Sequence, residues 1–185
     1  MALTLITTPG ATNSNSYATV AEANTYHDSI REQADQVWSA LHDGKKERLL
    51  AMATRLIDEH FVFLGYKKDH DQALQWPRSG VLKDGKYSQA LFDHLDRDTI
   101  PDFVKNATAE FARILHSEDT TADDDTAGFK QLMVQGISLT MDQSSRISKG
   151  VIRSSVFSML RKYGDYIPSL NAGSGGIGQN RLVRS

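Results

Sequence analysis

The sequence predicts a mainly α fold: a compact helical bundle with a small β hairpin or bulged strand and extended N- and C-terminal arms. Three observations carry that expectation. Apolar residues recur at helical spacing through 45 to 64 and 101 to 116. A period of two replaces it between Phe129 and Met141. Glycine and small polar residues gather towards both ends.

Residues 1 to 16 surround Pro9-Gly10 and end in Asn13-Ser14-Asn15-Ser16, turn chemistry that reads as an arm. Thr19 and Glu22 then match a capping box, which predicts a helix start. Ala23, Tyr26, His27 and Ile30 mark its apolar face. Ala34, Val37, Trp38 and Leu41 continue that face or form a second short helix, which Asp43-Gly44 is expected to stop. From Lys45 to Leu64 the stripe Leu49, Met52, Ala53, Leu56, Ile57, His60, Phe61 and Leu64 predicts a helix, with Gly65 as its left-handed cap. Residues 66 to 98 read as an ordered loop around Trp76-Pro77-Arg78, pinned by Tyr66, Leu74, Trp76, Val81 and Leu82.

Thr99 and Asp102 around Pro101 form a second capping signal, followed by Val104, Ala107, Thr108, Phe111, Ile114 and Leu115 at helical spacing. The acidic run from Glu118 to Asp125 reads as a solvated loop without calcium-loop spacing. Leu132 and Val134 before Gly136, with Ile137, Leu139 and Met141 after it, predict a hairpin or bulged strand. Ile152, Val156, Met159, Leu160 and Tyr163 predict a last helix ended by Gly164. The boundaries are therefore an arm over 1 to 16, a helical domain over 17 to 164 and a C-terminal arm over 165 to 185.

A chain of 185 residues, 39% hydrophobic and 24% charged, can bury a core as one domain. The absence of cysteine excludes disulfides, thiolate metal sites and cysteine nucleophiles. A formal net charge of -2 gives no long-range attraction for nucleic acid, so single-stranded DNA is expected to bind weakly. No signal peptide or membrane span is apparent, and a chain made and kept in the cytoplasm is expected.

The six histidines His27, His42, His60, His70, His94 and His116 lack paired ligand spacing, and Asp69-His70-Asp71 reads as a surface loop. Asp58-Glu59 and Asp123 to Asp125 are adjacent carboxylates that do not make an acid and base pair. The glycines from Gly173 to Gly178 lack the strand and helix of a phosphate cradle, and no Gly-x-Ser-x-Gly elbow is present. No catalytic, metal or cofactor residues are expected. Lys45-Lys46, Arg48, Lys67-Lys68, Arg146, Lys149, Arg153, Arg161-Lys162 and the tail arginines could gather beside Tyr66 or Tyr163 as a nucleic-acid face. They read first as solvated charges balancing 23 acids. The tail sequence Arg181-Leu182-Val183-Arg184, an apolar pair between cations, reads as a segment that orders on a partner.

Four stretches carry a resemblance: Asn15-Ser16-Tyr17-Ala18-Thr19-Val20-Ala21-Glu22-Ala23-Asn24-Thr25-Tyr26, the Leu49 to Ile57 helix, Leu74-Gln75-Trp76-Pro77-Arg78, and Ile100-Pro101 leading into Ala107-Thr108-Ala109-Glu110. In this order, across roughly residues 13 to 116, they resemble the head-to-tail connector, or adaptor, proteins of tailed phages. The chain is also similar to sequences described as DnaT-like single-stranded DNA-binding proteins. The connector resemblance implies a non-enzymatic virion protein of the phage neck. It would form a homo-oligomeric, twelvefold ring beneath the portal protein, meet tail, stopper or terminator proteins, and pass double-stranded DNA without specific binding, with no membrane and no cofactor. Trp76, Pro77, Arg78, Arg181, Leu182, Val183 and Arg184 are its expected assembly residues. The acidic run would suit a channel that must not hold DNA.

Overall fold

A computed structural model describes residues 3 to 30, 36 to 87, 92 to 118, 131 to 134, 137 to 140 and 151 to 167. The described residues are mainly α with small antiparallel strand pairs. The N-terminal segment is non-helical, as its turn chemistry predicts, and it folds against the body. The Asn15 amide accepts from Ile6 N at 2.8 Å and donates to Thr4 O at 2.9 Å, while Leu5 packs on the core.

Helix α1 spans Val20–Ile30. It opens on the expected capping box: Thr19 N donates to the Glu22 carboxylate at 2.8 Å, and Glu22 N donates to Thr19 Oγ1 at 3.1 Å. Ala23 and His27 are buried, but Ile30, expected on the same face, is 56% exposed at the helix end. The short helix α2, Gln36–Ser39, buries Trp38 and leaves Val37 outside. Ala34 lies outside the described residues.

Asp43-Gly44, expected to stop a helix, instead opens helix α3, Asp43–His60. His42 caps it by accepting from Lys45 N at 3.2 Å, and Asp43 sits where the helix dipole favours negative charge. The expected end at Leu64 also fails. At Phe61 the backbone turns extended (φ -127°, ψ 131°), and Phe61–Phe63 becomes strand β1, alternately buried, exposed and buried. Gly65 caps no helix; at φ +70° it serves the turn into β2, Tyr66–Lys67. Strand β3, Arg78–Ser79, pairs with β2, and a 3-10 turn follows at Gly85–Tyr87.

Helix α4, Asp102–Ser117, is the hub, packing on α3, on α1 and on α5, Ser154–Leu160. Thr99 does not cap it. The N-cap is Pro101, whose carbonyl accepts from Val104 N at 3.0 Å. Val104, Ala107 and Phe111 are fully buried, and Leu56 and Ile57 of α3 belong to the same core, with Ile114 packed partly buried against it. The expected hairpin is present: β4, Gln131–Val134, pairs antiparallel with β5, Ile137–Thr140, joining Leu132 to Leu139 and Val134 to Ile137.

The last helix is shorter than the 151 to 163 expected. Gly164 begins strand β6, Gly164–Tyr166, which pairs antiparallel with β1. A Cβ at Gly164 would lie 2.5 Å from Val62 O, so this close strand approach admits only glycine. The ordered body thus continues past residue 164. An aromatic row ties the strands to the helices, with ring centroids 5.3 Å apart for Phe61 and Phe63, 5.5 Å for Phe63 and Trp76, and 5.6 Å for Trp76 and Phe103. Phe103 and Tyr163 stack at 3.8 Å.

Candidate nucleic-acid interface

The segment 66 to 98 is built on polar side chains that bond to backbone. Gln72 Nε2 donates to Leu74 O at 2.8 Å and Pro77 O at 3.1 Å, and Gln75 Nε2 donates to Asp58 O at 2.8 Å and Phe61 O at 2.9 Å. Arg78 donates through Nε to Leu64 O at 2.7 Å and through Nη2 to Gly65 O at 2.7 Å and Phe63 O at 3.1 Å. Trp76, Pro77 and Arg78 are all buried, so these three expected assembly residues meet their own chain. Any assembly role at them would act through the shape of the loop. Arg181, Leu182, Val183 and Arg184 lie outside the described residues, as do Asp119 to Asp125, Arg146 and Lys149.

Because the loop is held from within, several large side chains are left at its surface. Tyr66, expected to pin the loop, is 69% exposed, Tyr87 is 67% exposed and Phe92 is 90% exposed. Backbone pairing brings them to one region. Tyr66 lies over Gly80, where a Cβ would meet its ring at 3.4 Å. The chain then continues into Leu82, which bridges antiparallel to His94, and Lys83 N donates to Asp93 O at 2.9 Å beside Phe92. Lys86 N donates to Lys162 O at 2.8 Å, which fastens the turn bearing Tyr87 to the end of α5.

Three lysines close to these rings in the chain face carboxylates. Lys68 Nζ lies 2.5 Å from Asp98, Lys83 Nζ lies 2.6 Å from Asp93, and Lys86 pairs with Asp165. The hydrogen bond from Lys68 holds the Asp98 carboxyl below its usual range. Burial, followed by the nearby Asp84 charge, raises Tyr163, whose hydroxyl donates to Lys83 O at 2.7 Å.

Of the expected basic residues, Lys68 joins this region through its pair with Asp98 and Lys162 through its carbonyl, Arg161 adjoins Lys162 in the chain, and the Lys67 ammonium donates to Gln72 O at 3.2 Å. Lys45 and Arg48 sit near the start of α3, some three turns or more from its β1 end. Lys46 is buried, its ammonium 5.6 Å from the Trp38 ring centroid and 3.0 Å from Asn24 Oδ1. Arg153 donates to Glu118 at 3.1 Å. Lys83, Lys86, Tyr87 and Phe92 were not legible as site residues; the available signal was large aromatics among charges with no periodic apolar partner.

Elsewhere, Asp58 joins a polar knot: Tyr17 OH donates to it, and Gln75 N donates to its other oxygen at 3.0 Å. Burial pushes its carboxyl from the usual 3.8 to about 6, against the lowering pull of these hydrogen bonds and of Lys67 and Arg78. Its neighbour Glu59 is half-exposed and pairs with Arg55 at 3.7 Å. Both border an open groove of about 640 Å³ together with Met52 and Leu74. Among the described residues no group of three or more His, Asp or Glu could hold a metal ion, and no helix is long and apolar enough to cross a membrane.

The described residues form a mainly α fold whose strand-bearing region leaves Tyr66, Tyr87 and Phe92 exposed. Over residues 1–185 the chain matches the model of the family described as "Putative DnaT-like ssDNA binding protein", and it belongs to that family. No curated protein and no solved structure matches the chain. The comparisons thus favour the second of the two resemblances, and nothing in them supports the connector family.

Proposed function

We propose that this chain binds single-stranded DNA on the face carrying Tyr66, Tyr87 and Phe92. The observation that carries the proposal is the exposure of these three rings, 67% or more each, on a frame of internally bonded backbone, with Lys68, Lys83 and Lys86 close to them in the chain. Unpaired bases stack on such rings whatever their sequence. The family description agrees with this chemistry.

Fluorescence anisotropy with a labelled oligo-thymidylate of roughly 16 nucleotides, a length that fills a single-domain site, tests it. Phe92→Ala should weaken binding by roughly 5- to 150-fold, as loss of one base stack does, with thermal unfolding unchanged. Absence of binding by the wild-type chain, or wild-type affinity in the alanine variant, would refute it.

A second reading, a subunit of a homo-oligomeric ring joining phage head and tail, draws on the same exposure. Val62 and Ile167 are also exposed, at 51% and 46%, and the net charge is -2. Apolar area of this kind also suits contact with a second copy. Sedimentation without DNA tests this reading, which expects self-association.

A further inference from the structure

Each exposed ring has an ion pair beside it. Tyr66 is two residues from Lys68, which pairs with Asp98. Phe92 precedes Asp93, which pairs with Lys83, and Tyr87 follows Lys86, which pairs with Asp165. We infer that Asp93, Asp98 and Asp165 mask these lysines, so that the face takes nucleic acid by its unpaired bases and rejects duplex. The inference rests on the single-stranded DNA reading above and adds what the face discriminates against.

The argument is one of exchange. A phosphate that reaches Lys68, Lys83 or Lys86 must displace a carboxylate already 2.5 to 2.6 Å from the ammonium in the two pairs with Asp98 and Asp93. One ion pair replaces another, and the freed carboxylate remains within a Debye length of the incoming strand, where it repels it. Binding through phosphates therefore gains little. Stacking is unaffected, because a ring face carries no formal charge to neutralise. Duplex DNA offers dense phosphates and hides its base faces, so it has nothing that this surface can hold. A face of the same rings with unmasked lysines would hold both.

The test compares wild type with the triple variant D93N/D98N/D165N, using single-stranded and duplex oligonucleotides from about 0.05 to about 0.3 M salt. Wild type should bind the single strand with a log-log salt slope shallower than about -1 and should not retain duplex. The variant should steepen the slope to about -2, as three phosphate contacts at about 0.7 each require. It should also bind single strands at least about tenfold tighter at the lowest salt and acquire duplex binding. Adding K68Q/K83Q/K86Q to the triple variant should cancel that gain and remove its duplex binding.

A wild-type slope of -2 or steeper, or a triple variant indistinguishable from wild type, overturns the mask while leaving single-stranded binding intact, which the Phe92→Ala loss then reports separately. If neither chain binds single strands although both unfold at the same temperature, the binding reading falls and the mask with it.

Discussion

The helical half of the molecule and its strand-bearing half are held together by different forces. In α3 and α4 apolar packing dominates: Leu50, Ala53, Ile57, Val104, Ala107 and Phe111 show no exposed surface. Between Phe61 and Asp98 the strands are two or three residues long, too short to stand alone, and Gln72, Gln75 and Arg78 fix the backbone by donating to its carbonyls. The difference explains where function can sit. A helix stabilised by its apolar stripe must bury its large side chains. A loop stabilised by bonds to its own carbonyls can leave Tyr66, Tyr87 and Phe92 in solvent without losing its shape.

If that division holds, truncation in the helical half has the larger effect. Phe111→Ala should cost about 3 to 5 kcal/mol, since a fully buried ring leaves a cavity between α3 and α4. Urea unfolding checks this, and a change below about 0.5 kcal/mol, typical of surface positions, would mean that the two halves do not differ as described. The strand half answers to a subtler substitution. Arg78→Lys keeps the charge but loses the planar fork that reaches the carbonyls of Phe63, Leu64 and Gly65. A loss of about 2 kcal/mol is expected from the orphaned carbonyls. It should be accompanied by faster amide exchange across 61 to 79 and native protection in α4. A lysine variant as stable as wild type would show that charge alone holds the loop.

Legibility in the sequence follows the same division. The capping box at Thr19 and Glu22, the α4 stripe and the 131 to 140 hairpin are local patterns, and each has local chemistry sufficient to produce it. The end of α3 was misread because Phe61 and Leu64 continue a helical stripe. What overrides it is pairing with Gly164, about a hundred residues away, and only proximity in the fold reveals that. In the sequence Tyr66 reads as a pin because aromatics are usually buried. Its exposure depends on Arg78 and Gln75 having already satisfied the loop's carbonyls, which no window of sequence displays. Trp76-Pro77-Arg78 stood out correctly as a special segment, but the burial of all three was a tertiary fact.

The smallest expected effect lies at the seam between the halves, where Tyr17 and Gln75 both bond to Asp58 of α3. Burial raises the Asp58 carboxyl to about 6, so the folded chain holds this proton more tightly than the unfolded chain, whose aspartates titrate near 3.8. Folding therefore takes up a proton between those pH values. The group's contribution is fully present below about pH 4 and is lost as pH rises through about 6. The carboxyl borders the open groove, which lets water soften the penalty, so the loss should be about 1 to 2 kcal/mol. Asp58→Asn removes the titration while keeping an acceptor for Tyr17. Glu22 acts in the opposite sense: burial raises its carboxyl, but hydrogen bonds from Lys105 and Thr19 outweigh this and leave it below its usual value, so its stabilisation is lost only as pH falls. The difference in unfolding free energy between wild type and Asp58→Asn isolates Asp58 from that background. It should shift in the variant's favour by about 1 to 2 kcal/mol from pH 4 to pH 7. A difference that stays constant over that range would show that Asp58 is ionised throughout, and that the seam is held by a solvated carboxylate and not a buried one.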